Sequence, residues 1–449
     1  MIGVRIPPNN INERKYIIDI LLGEFLGLDY EIVVDSENNN WEIILENSNK
    51  LIIEDHFFSK FPKNLEYLKE KNIPKKVEFG KNDFIVENDI PVIYGNDKIK
   101  IKKNNRKKII ECGIDIFASS FFMLTRWEEY VDKTRDKHNR FPAYASLAYK
   151  FNFLDRPVVN EYVEMLWNML KFLGCKQKRK KREFRFILTH DVDHAYKYTD
   201  VMSHIRELAG DILKRKDLKL ALNNLKKQIL VKFGKAKDPF DTYDYLMDIS
   251  ENLGVKSYFF LHSSSSSKFD NNNDKFLKNL SQKILSRGHY IGYHPSYNAY
   301  NNLELFLKDK EKIENIIEHK LIFGRQHYLR FKIPTTWQIW EDAKMEWDST
   351  LSYADKEGFR CEVCYPYSVF NILTREKLKL KERPLIVMEG SFTTYQPSIT
   401  PGQMEQKIRS LINKVKRYNG EFAFLWHNSS FNTNFWIKYQ NIYKKVLLT

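Results

Sequence analysis

From residue 184 onward, short apolar runs alternate with longer segments whose apolar residues recur at helical spacing. Each short run is only four or five residues long, which predicts strands at 184–188, 257–261, 289–293, 385–388 and 422–426. The longer segments predict helices between these strands, at 238–253, 275–287 and 402–418. Strands that alternate with helices in this way indicate a parallel α/β architecture, either barrel-like or doubly wound.

The pattern of the first 180 residues predicts a smaller α/β layer. Strand-like pieces stand among polar turns, at 30–34, 41–45 and 91–94. Apolar residues at helical spacing predict helices at 12–26, 114–130 and 157–174. The basic run KQKRKKR at 176–182 is typical of a solvated linker, so we predict an amino-terminal domain at 1–180 and a second domain at 181–449.

One polar segment of the first domain has two interpretations. Residues 134–141, TRDKHNRF, follow a predicted helix and have the composition of a turn. Asp136, His138 and Arg140 could form a binding loop, but a solvated turn is the interpretation that we favour.

Ionisable side chains follow three of the predicted strands. The run FRFIL leads into THDVDH, which places Asp191 and Asp193 at the end of the first strand. His294 follows the strand at 289–293, and His427 follows the strand at 422–426. Because the carboxyl ends of parallel strands share one edge of a sheet, we expect these four side chains at one site. Carboxylate and imidazole groups are suitable ligands for a divalent metal such as zinc.

The net charge of the chain bears on which partners it could bind. The 449-residue chain has 73 Lys and Arg against 58 Asp and Glu, a net charge of +15, and its basic residues are widely spread. Since no nucleic-acid motif accompanies this charge, we expect no nucleic-acid partner. An anionic substrate or peripheral contact with a membrane face is the hypothesis that the charge suggests.

The lack of a targeting pattern and the small number of cysteines together predict the cellular compartment. The amino terminus lacks the pattern of a signal peptide, and no apolar run is long enough for a membrane span. The four cysteines are too few for a disulfide framework, so we expect reduced thiols. These features predict a cytoplasmic protein, and no specific protein partner is predicted.

Four motifs from residue 184 onward resemble those of the polysaccharide deacetylase (NodB homology) superfamily, which includes carbohydrate esterase family 4. In chain order they are THDVDH at 189–194, GHYIGYHPSYN at 288–298, RFKIP at 330–334 with Trp337 following, and LWH at 425–427. The order and spacing of these motifs also agree with the family. The resemblance implies an irregular (β/α) barrel that hydrolyses an N-acetyl group.

The amino-terminal part resembles an uncharacterised domain that precedes some deacetylase-like domains in bacterial surface-polysaccharide loci. The segments that carry this likeness are FFMLTRWEEY at 121–130 and HNRFPAYASLAYKFNFLDRP at 138–157. The likeness implies no activity by itself. Together with the missing export signal, it points to a glycan precursor or a lipid-linked sugar as the substrate.

The deacetylase resemblance implies roles for three catalytic residues. Asp191 would be the general base that takes a proton from water. His427 would be the general acid that protonates the departing amine, and Arg330 would orient Asp191. Imidazole suits this role because its unperturbed pKa lies near neutrality.

The resemblance also implies a metal site that departs from the family pattern. Asp193 and His294 would bind a divalent metal, expected to be zinc. Asn298 stands where the family usually has a second histidine, and an amide oxygen is a weaker ligand than imidazole. The metal could therefore keep an extra water, bind less tightly, recruit His190 or His194, or be absent.

Substrate contacts are expected beside the motifs, at Arg325, Trp337 and Tyr297. Arg325 is also an alternative to Arg330 for the role beside Asp191, because RQHYLR has an arginine at each end. We favour Arg330 because of its spacing to the proline of the motif.

The function expected from these features is that of a metal-dependent hydrolase that removes the N-acetyl group from an amino sugar in a glycan or glycan precursor. Two alternatives remain open. The chain could be a metal-free glycan-binding or scaffold protein, or an amidohydrolase of the same fold that acts on another C–N bond. Metal content and acetate release distinguish these possibilities.

Overall fold

Two sheets form the framework of the molecule. The computed structural model describes residues 1–104, 107–198, 213, 218–263 and 273–448. Within these residues, the strands form a six-stranded sheet in the amino-terminal part, a nine-stranded sheet in the remainder and a separate two-stranded pair.

The amino-terminal part contains strands β1 (Ile2–Ile6), β2 (Tyr30–Val34), β3 (Trp41–Ile44), β4 (Lys50–Ile53), β5 (Glu78–Gly80), β6 (Ile90–Val92), β7 (Gly95–Asn104) and β8 (Lys107–Ile114). The sheet order is β2-β1-β3-β4-β8-β7, with β5 and β6 paired separately. Parallel pairs (β1 with β2, β4 with β8) and antiparallel pairs occur together. The first helix, Ile11–Ile18, continues as a π-helix over Asp19–Phe25. The other α-helices in this part are Ile116–Thr125, Trp127–Val131, Leu147–Lys150 and Val158–Phe172.

The second part contains strands β9 (Arg185–Val192), β10 (Tyr258–Leu261), β11 (Tyr290–Tyr293), β12 (Phe323–Gly324), β13 (Trp347–Asp348), β14 (Tyr367–Asn371), β15 (Glu376–Glu382), β16 (Leu385–Met388) and β17 (Glu421–Leu425). The order is β14-β15-β13-β12-β11-β10-β9-β17-β16, and only β14 runs antiparallel to its neighbour among the described strands. The sheet is curled into an open, irregular (β/α) barrel, which confirms the predicted fold class.

Strands in the middle of the curled sheet, such as β10 and β17, are apolar on both faces because both faces are covered, whereas β15 alternates buried and exposed residues. All of β17 after its first residue is buried, and so are the last three residues of β10. The helices in this part are Leu218–Lys232, Tyr243–Asn252, Asp274–Ser286, Leu303–Ile317, Thr335–Asp342, Glu389–Tyr395, Pro401–Arg417 and Gln440–Leu448. Among the described residues, each helix is too short or too polar to cross a membrane.

Side-chain caps set the starts of three helices that pack on the curled sheet. Asn273 and Asn302 each accept a hydrogen bond from a backbone N–H in the first helical turn. Thr400 and Gln403 bond each other's backbone N–H groups, and Pro401 occupies the first helical position. These caps satisfy backbone donors that a helix start would otherwise leave unpaired.

The prediction of one continuous helix at 114–130 is wrong in one respect. The chain forms two helices there, because Arg126 adopts a left-handed backbone conformation with φ of 52°. This break directs the Arg126 side chain into the interior, where it is 1% exposed. Amphipathic periodicity continues across the break, so the sequence pattern alone does not reveal it.

A buried network of five ionisable side chains joins the two parts of the molecule. Arg126 contacts Glu129, Glu128 and Glu362 at 2.9, 3.1 and 3.2 Å. Arg360 donates to Glu129 at 2.9 Å, and all five side chains are at most 3% exposed. Buried charges persist only when they are paired and hydrogen-bonded, so this network constrains how the two parts pack.

The basic segment at 176–182 is solvated only in part. Its lysines are exposed, but Arg179 pairs with Glu164 at 2.6 Å, and Arg182 lies 4.1 Å from the centre of the Tyr365 ring. The backbone N–H of Lys180 also donates to the Leu26 carbonyl at 2.7 Å. The predicted solvated linker is therefore a packed connection. The boundary predicted at residue 180 lies in this connection and stays a prediction.

We expect Arg126→Met to lower the free energy of unfolding by about 3–5 kcal/mol, because it leaves three buried carboxylates with too little positive charge. Urea unfolding of the purified chain measures the change. Arg5→Met is the matched control, since the Arg5 side chain is 48% exposed and lies 3.8 Å from Asp35. We expect the control to change the free energy by less than about 1 kcal/mol. Equal effects of the two variants would contradict the role of the network.

Candidate active site

Ionisable side chains meet where the parallel strands of the curled sheet end. Asp191 is the penultimate residue of β9, and Asp193 follows that strand. The others follow their own strands: His262 after β10, His294 after β11, Arg325 after β12, Glu389 after β16 and His427 after β17. Parallel strands bring these residues to one edge of the sheet, as predicted for Asp191, Asp193, His294 and His427.

Asp191 and Arg325 form a buried ion pair. Nη1 of Arg325 lies 2.8 Å from Oδ1 of Asp191 and 2.9 Å from the Thr189 hydroxyl. Nε of the same guanidinium donates to the Ser349 carbonyl at 2.8 Å. The Asp191 carboxylate is thereby held in one orientation, with Oδ2 directed toward the histidines of the site.

Asp193 lies among three imidazole rings. Its Oδ1 is 3.3 Å from Nε2 of His294 and 3.5 Å from Nε2 of His327. Its Oδ2 is 3.5 Å from Nε2 of His427. Although burial opposes ionisation, His327, His294 and His427 hold the pKa of Asp193 well below its usual range.

The backbone orients His294. Its Nδ1 lies 2.6 Å from the Arg325 carbonyl oxygen, which can only accept, so Nδ1 carries a proton. In the neutral ring, Nε2 then presents a lone pair toward Asp193. Nε2 and Oδ1 of Asp193 are both buried and lack a hydrogen-bond partner within the described part of the chain. A cation placed between these two atoms would satisfy both.

His262 and His327 extend this cluster. The potential ligand atoms of Asp193, His262 and His327 lie within 4.8 Å of one another. The two imidazole rings stack with their centres 5.2 Å apart. Burial and the nearby His327 lower the pKa of His262 to about 4, so its ring is neutral at pH 7. Its Nδ1 lies 3.1 Å from the Ser263 carbonyl oxygen, and its Nε2 lies 3.2 Å from the Asp193 carbonyl oxygen. A neutral ring donates to only one of these oxygens and keeps a lone pair on the other nitrogen, as metal binding requires.

This set of donors fits a divalent metal such as zinc. Catalytic zinc sites combine three nitrogen or oxygen ligands and keep one position open. One carboxylate, Asp193, and the imidazoles of His294, His327 and His262 supply such donors. A backbone carbonyl that accepts from the other ring nitrogen, as at His294, is typical of a metal-ligating histidine.

His427 is bound to a buried carboxylate. Its Nδ1 donates to Oε1 of Glu389 at 2.6 Å, and Glu389 also accepts from the Ser430 hydroxyl at 2.6 Å. Burial alone would lower the pKa of His427, but Glu389 and Asp193 raise it to about 10. The ring is therefore protonated at neutral pH, with Nε2–H directed at Asp193.

Arg330 and Asn298, predicted for catalysis and metal binding, contact each other instead. Nη1 of Arg330 lies 3.2 Å from Oδ1 of Asn298, which is an exposed residue. The Arg330 guanidinium lies between the Tyr297 and Tyr300 rings, 4.0 Å from each centre. The arginine that contacts Asp191 is Arg325, the alternative of the sequence analysis. Arg325 is fully buried, so its predicted contact with substrate is replaced by this pairing.

The other predicted residues lie around the cluster. Trp337 is fully buried and donates to Glu382 at 3.0 Å, so its ring is closed to a substrate. Tyr297 is half buried, and its hydroxyl lies 3.0 Å from Nδ1 of His138. Neither alternative metal ligand joins the cluster. Nδ1 of His190 lies 2.8 Å from the Trp426 carbonyl oxygen and its Nε2 lies 3.2 Å from the Ser257 hydroxyl, while His194 is exposed beside Phe240.

A cavity of about 270 Å³ opens onto the cluster. Its lining includes Asp191, Asp193, His294, His327 and His427 from the site, and Leu329, Ala354 and Met388 as apolar groups. Tyr328 and Tyr395 also line it, together with Lys137, His138 and Arg140 from the amino-terminal part. The cavity therefore offers both reactive groups and apolar contacts to a small ligand.

Three residues of the site were missed in the sequence analysis. His262 follows β10 directly, so the strand-end argument that selected His294 applies equally to it. Glu389 follows β16 in the same way. His327 follows β12, which is two residues long and has no periodic signal.

Comparison with known proteins found one family match and several solved structures. Residues 2–174 match a family described as a family of unknown function, DUF7033. No curated protein sequence matches the chain significantly. Solved structures with a similar fold cover up to 60% of the chain.

Three of these structures come from different bacteria. A protein from Mycobacterium smegmatis assigned as a polysaccharide deacetylase has 13% identity and a TM-score of 0.37, over 60% of this chain and 84% of its own. One from Pseudomonas aeruginosa PAO1 with the same assignment has 8% identity and a TM-score of 0.36, over the same shares. A CE4 family pseudoenzyme from Bacillus anthracis has 15% identity and a TM-score of 0.27, over 47% of this chain and 57% of its own. Likeness of this degree leaves activity to be argued from the site itself.

We expect His327→Ala to weaken zinc binding by more than about 100-fold, beyond the 10- to 100-fold loss typical of a residue that only supports a ligand. Competition with a chromophoric chelator measures the affinity. Asn298→Ala is the control and should change the affinity by less than about threefold, because Asn298 bonds Arg330. Loss of zinc in the Asn298 variant, with retention in the His327 variant, would restore the ligand set expected from the sequence.

Proposed function

We propose that the chain is a metal-dependent hydrolase that removes the N-acetyl group from an amino sugar. The observation that carries this proposal is the arrangement of two oriented proton-transfer groups around one cluster of metal ligands. Asp191 with Arg325 and His427 with Glu389 both line or support the cavity that opens onto Asp193. Hydrolysis of an amide requires a base, an acid and an electrophile in this kind of arrangement.

Asp191 serves as the general base in this proposal. Arg325 fixes Oδ1, which leaves Oδ2 to accept a proton from water in the cavity. The ion pair orients the carboxylate before the substrate binds, so little reorganisation accompanies the transfer.

Asp193, His294 and His327, with His262 beside them, would hold the metal. When bound, a metal such as zinc supplies a Lewis acid for the amide carbonyl and lowers the pKa of water to about 7. The chain itself orients these side chains: the Arg325 carbonyl fixes the His294 ring, and Asp193 contacts two imidazoles through Oδ1.

His427 serves as the general acid. Its pKa is raised by Glu389 and Asp193, so the ring holds a proton at neutral pH that can pass from Nε2 to the leaving nitrogen. Glu389 keeps the ring in place through Nδ1. The acid and the base come from neighbouring parallel strands, His427 after β17 and Asp191 at the end of β9.

The cavity suits a small acetylated sugar. Leu329, Ala354 and Met388 offer apolar contacts for an acetyl methyl group, and the aromatic rings of Tyr328 and Tyr395 can pack on a sugar face. We propose a glycan precursor or lipid-linked intermediate of bacterial surface-polysaccharide synthesis as the substrate class.

We expect the zinc-loaded protein to release acetate from oligomers of N-acetylglucosamine. Asp191→Asn and His427→Gln should each lower kcat by about 10²–10⁴-fold, the usual contribution of a general base or acid, with zinc content retained for Asp191→Asn. His194→Gln is the matched control, because His194 is exposed and lies outside the cavity lining. Acetate is measured by an enzyme-coupled assay.

Other outcomes separate the alternatives. Release of formate or ammonia from other amides, without acetate, would assign the site to another C–N bond. Zinc binding without hydrolysis of any amide would contradict the proposed activity and favour a glycan-binding role.

A further inference from the structure

A loop of the amino-terminal part forms one wall of the cavity. Lys137, His138 and Arg140 line it together with the site residues described above. Asp136 closes the loop: its Oδ1 accepts from the backbone N–H groups of His138 and Arg140 at 2.8 and 2.9 Å. The interpretation of residues 134–141 as a solvated turn does not account for this position, because the turn faces the candidate active site. The interpretation as a binding loop therefore fits the structure better.

Arg330 holds this loop against the second part. Its Nε donates to the His138 carbonyl at 2.9 Å while its guanidinium lies between the Tyr297 and Tyr300 rings. The same tyrosines contact the loop through their hydroxyls, since Tyr300 accepts from Asn139 at 2.8 Å and Tyr297 lies 3.0 Å from His138. Cation–π and charge-assisted contacts of this kind give the loop a defined position.

Arg140 attaches the loop on the other side. Its Nη1 donates to the Tyr328 carbonyl at 2.9 Å, and its Nη2 donates to the Tyr395 hydroxyl at 2.7 Å. The Asp136 carboxylate lies 2.7 Å from the same guanidinium, so the charge of Arg140 is compensated within the loop.

Lys137 differs from its neighbours. It is exposed at the wall of the cavity and has no ion-pair or hydrogen-bond partner among residues 1–104, 107–198, 218–263 and 273–448. The two aspartates of the cavity are already engaged, Asp191 by Arg325 and Asp193 by the histidines. The ammonium group of Lys137 is thus available to a ligand in the cavity.

We propose that the loop 136–140 completes the substrate site and that Lys137 binds an anionic group, a phosphate or a carboxylate, carried by the acetylated sugar. This inference rests on the function proposed above for the substrate class. It gives the amino-terminal part a role in recognition, and it makes Arg330 a positioning residue that acts through the loop.

Binding of N-acetylglucosamine 1-phosphate and of N-acetylglucosamine, measured by calorimetry on the zinc-loaded Asp191→Asn chain, tests this inference without turnover. In that background, Lys137→Gln should weaken binding of the phosphate sugar about 10-fold, the loss expected for a hydrogen bond to a charged group, and leave the neutral sugar within twofold. Lys69→Gln, an exposed lysine outside the cavity lining, removes the same charge and should change neither.

A carboxylate ligand is distinguished by a second probe. N-Acetylmuramic acid carries a carboxylate instead of the phosphate, and preference for it with the same dependence on Lys137 assigns the carboxylate source. Equal loss of the neutral and anionic sugars in Lys137→Gln, or no loss of either, overturns the inference. Binding that depends on Lys137 without acetate release by the wild-type chain leaves the inference intact and contradicts the proposed activity.

Arg330→Met tests the positioning role. We expect it to raise KM for the phosphate sugar about 10-fold, as Lys137→Gln does, while kcat for the neutral sugar and the zinc affinity stay within about threefold. A large loss of kcat for the neutral sugar would support the catalytic role expected from the sequence and overturn the positioning role. Lys137→Gln keeps the inference testable if Arg330→Met fails to fold.

A second feature, independent of the cavity, is the outward face of the helix Leu218–Lys232. Large apolar side chains there are 39% to 70% exposed, and their spacing of three or four residues places them on one face: Leu218, Leu222, Leu225, Ile229 and, just after the helix, Phe233. We call these residues the apolar stripe.

The inward face of this helix is more polar than the apolar stripe. Ala221, Asn224 and Gln228 are at most 9% exposed, and Asn224 accepts a hydrogen bond from Asn434 at 3.3 Å. Surface helices normally bury their apolar side and expose their polar side. The reversed arrangement indicates that the apolar stripe has an apolar partner.

The charge around the apolar stripe indicates which partner fits. Residues 218–237 contain six lysines and no acidic residue. At 100° per residue, Lys226 and Lys232 lie on either side of the stripe, where their long side chains can reach past it to anionic headgroups. A second copy of the chain would bring two lysine-rich faces together, which repulsion opposes.

We propose that the apolar stripe docks on the surface of an anionic lipid bilayer, with the helix lying in the plane of the interface. A lysine-rich polar side and an apolar side of this kind are typical of interfacial helices. Each lysine near an anionic surface adds to the attraction, which salt weakens.

Flotation with vesicles tests this proposal. We expect the chain to bind phosphatidylcholine vesicles that contain phosphatidylglycerol, and to bind phosphatidylcholine alone at least 10-fold more weakly. Ile229→Ser with Phe233→Ser, and separately Lys226→Glu with Lys232→Glu, should each weaken binding about 10-fold or more. Leu307→Ser is the matched control, because Leu307 is 43% exposed on the helix Leu303–Ile317.

Failure to float with anionic vesicles overturns the membrane proposal. Equal binding to both kinds of vesicle contradicts the part assigned to the lysines. Concentration-dependent dimerisation that the Ile229 and Phe233 substitutions abolish would assign the apolar stripe to a second copy instead.

Discussion

The buried guanidinium of Arg325 connects parts of the site that come from different strands. Its nitrogens contact Asp191 at the end of β9, the Thr189 hydroxyl in the same strand and Ser349 after β13. Its carbonyl receives the Nδ1–H of His294 after β11. An arginine can be buried only when its donors are bonded, so the site depends on these partners being present together. Asp191 and His294 are thus oriented by a single residue.

The length of the preceding strand explains which site residues could be predicted from the sequence. Asp191, Asp193, His294 and His427 follow strands with clear apolar runs, and parallel strands bring their ends to one edge. Arg325 and His327 follow β12, which is two residues long, so the sequence could not show which arginine of RQHYLR faces Asp191. The family pattern favoured Arg330 by spacing. Only the packing of Tyr297 and Tyr300 around Arg330 reveals that it faces the loop 136–140 instead.

The predicted fold class is confirmed, and the details that the sequence analysis missed depend on contacts between distant residues. The alternation of strands and helices after residue 184 predicted the curled parallel sheet, because local periodicity determines those elements. The break at Arg126 and the packed arginines of the segment 176–182 depend on partners far along the chain, such as Glu362 and Tyr365. Contacts between residues that are distant in sequence leave no local pattern, so the sequence could not show that these charged groups are buried.

The amino-terminal part and the curled sheet act as one unit for a physical reason. Glu362 and Arg360 would be left without Arg126 and Glu129 if the two parts separated, and buried charges without partners are strongly destabilising. The interface that satisfies these charges also carries the loop 136–140 to the cavity. A sequence boundary near residue 180 therefore separates two patterns of secondary structure but does not separate two sites. The cavity is accordingly lined by groups from both parts at once, with Lys137, His138 and Arg140 on one wall.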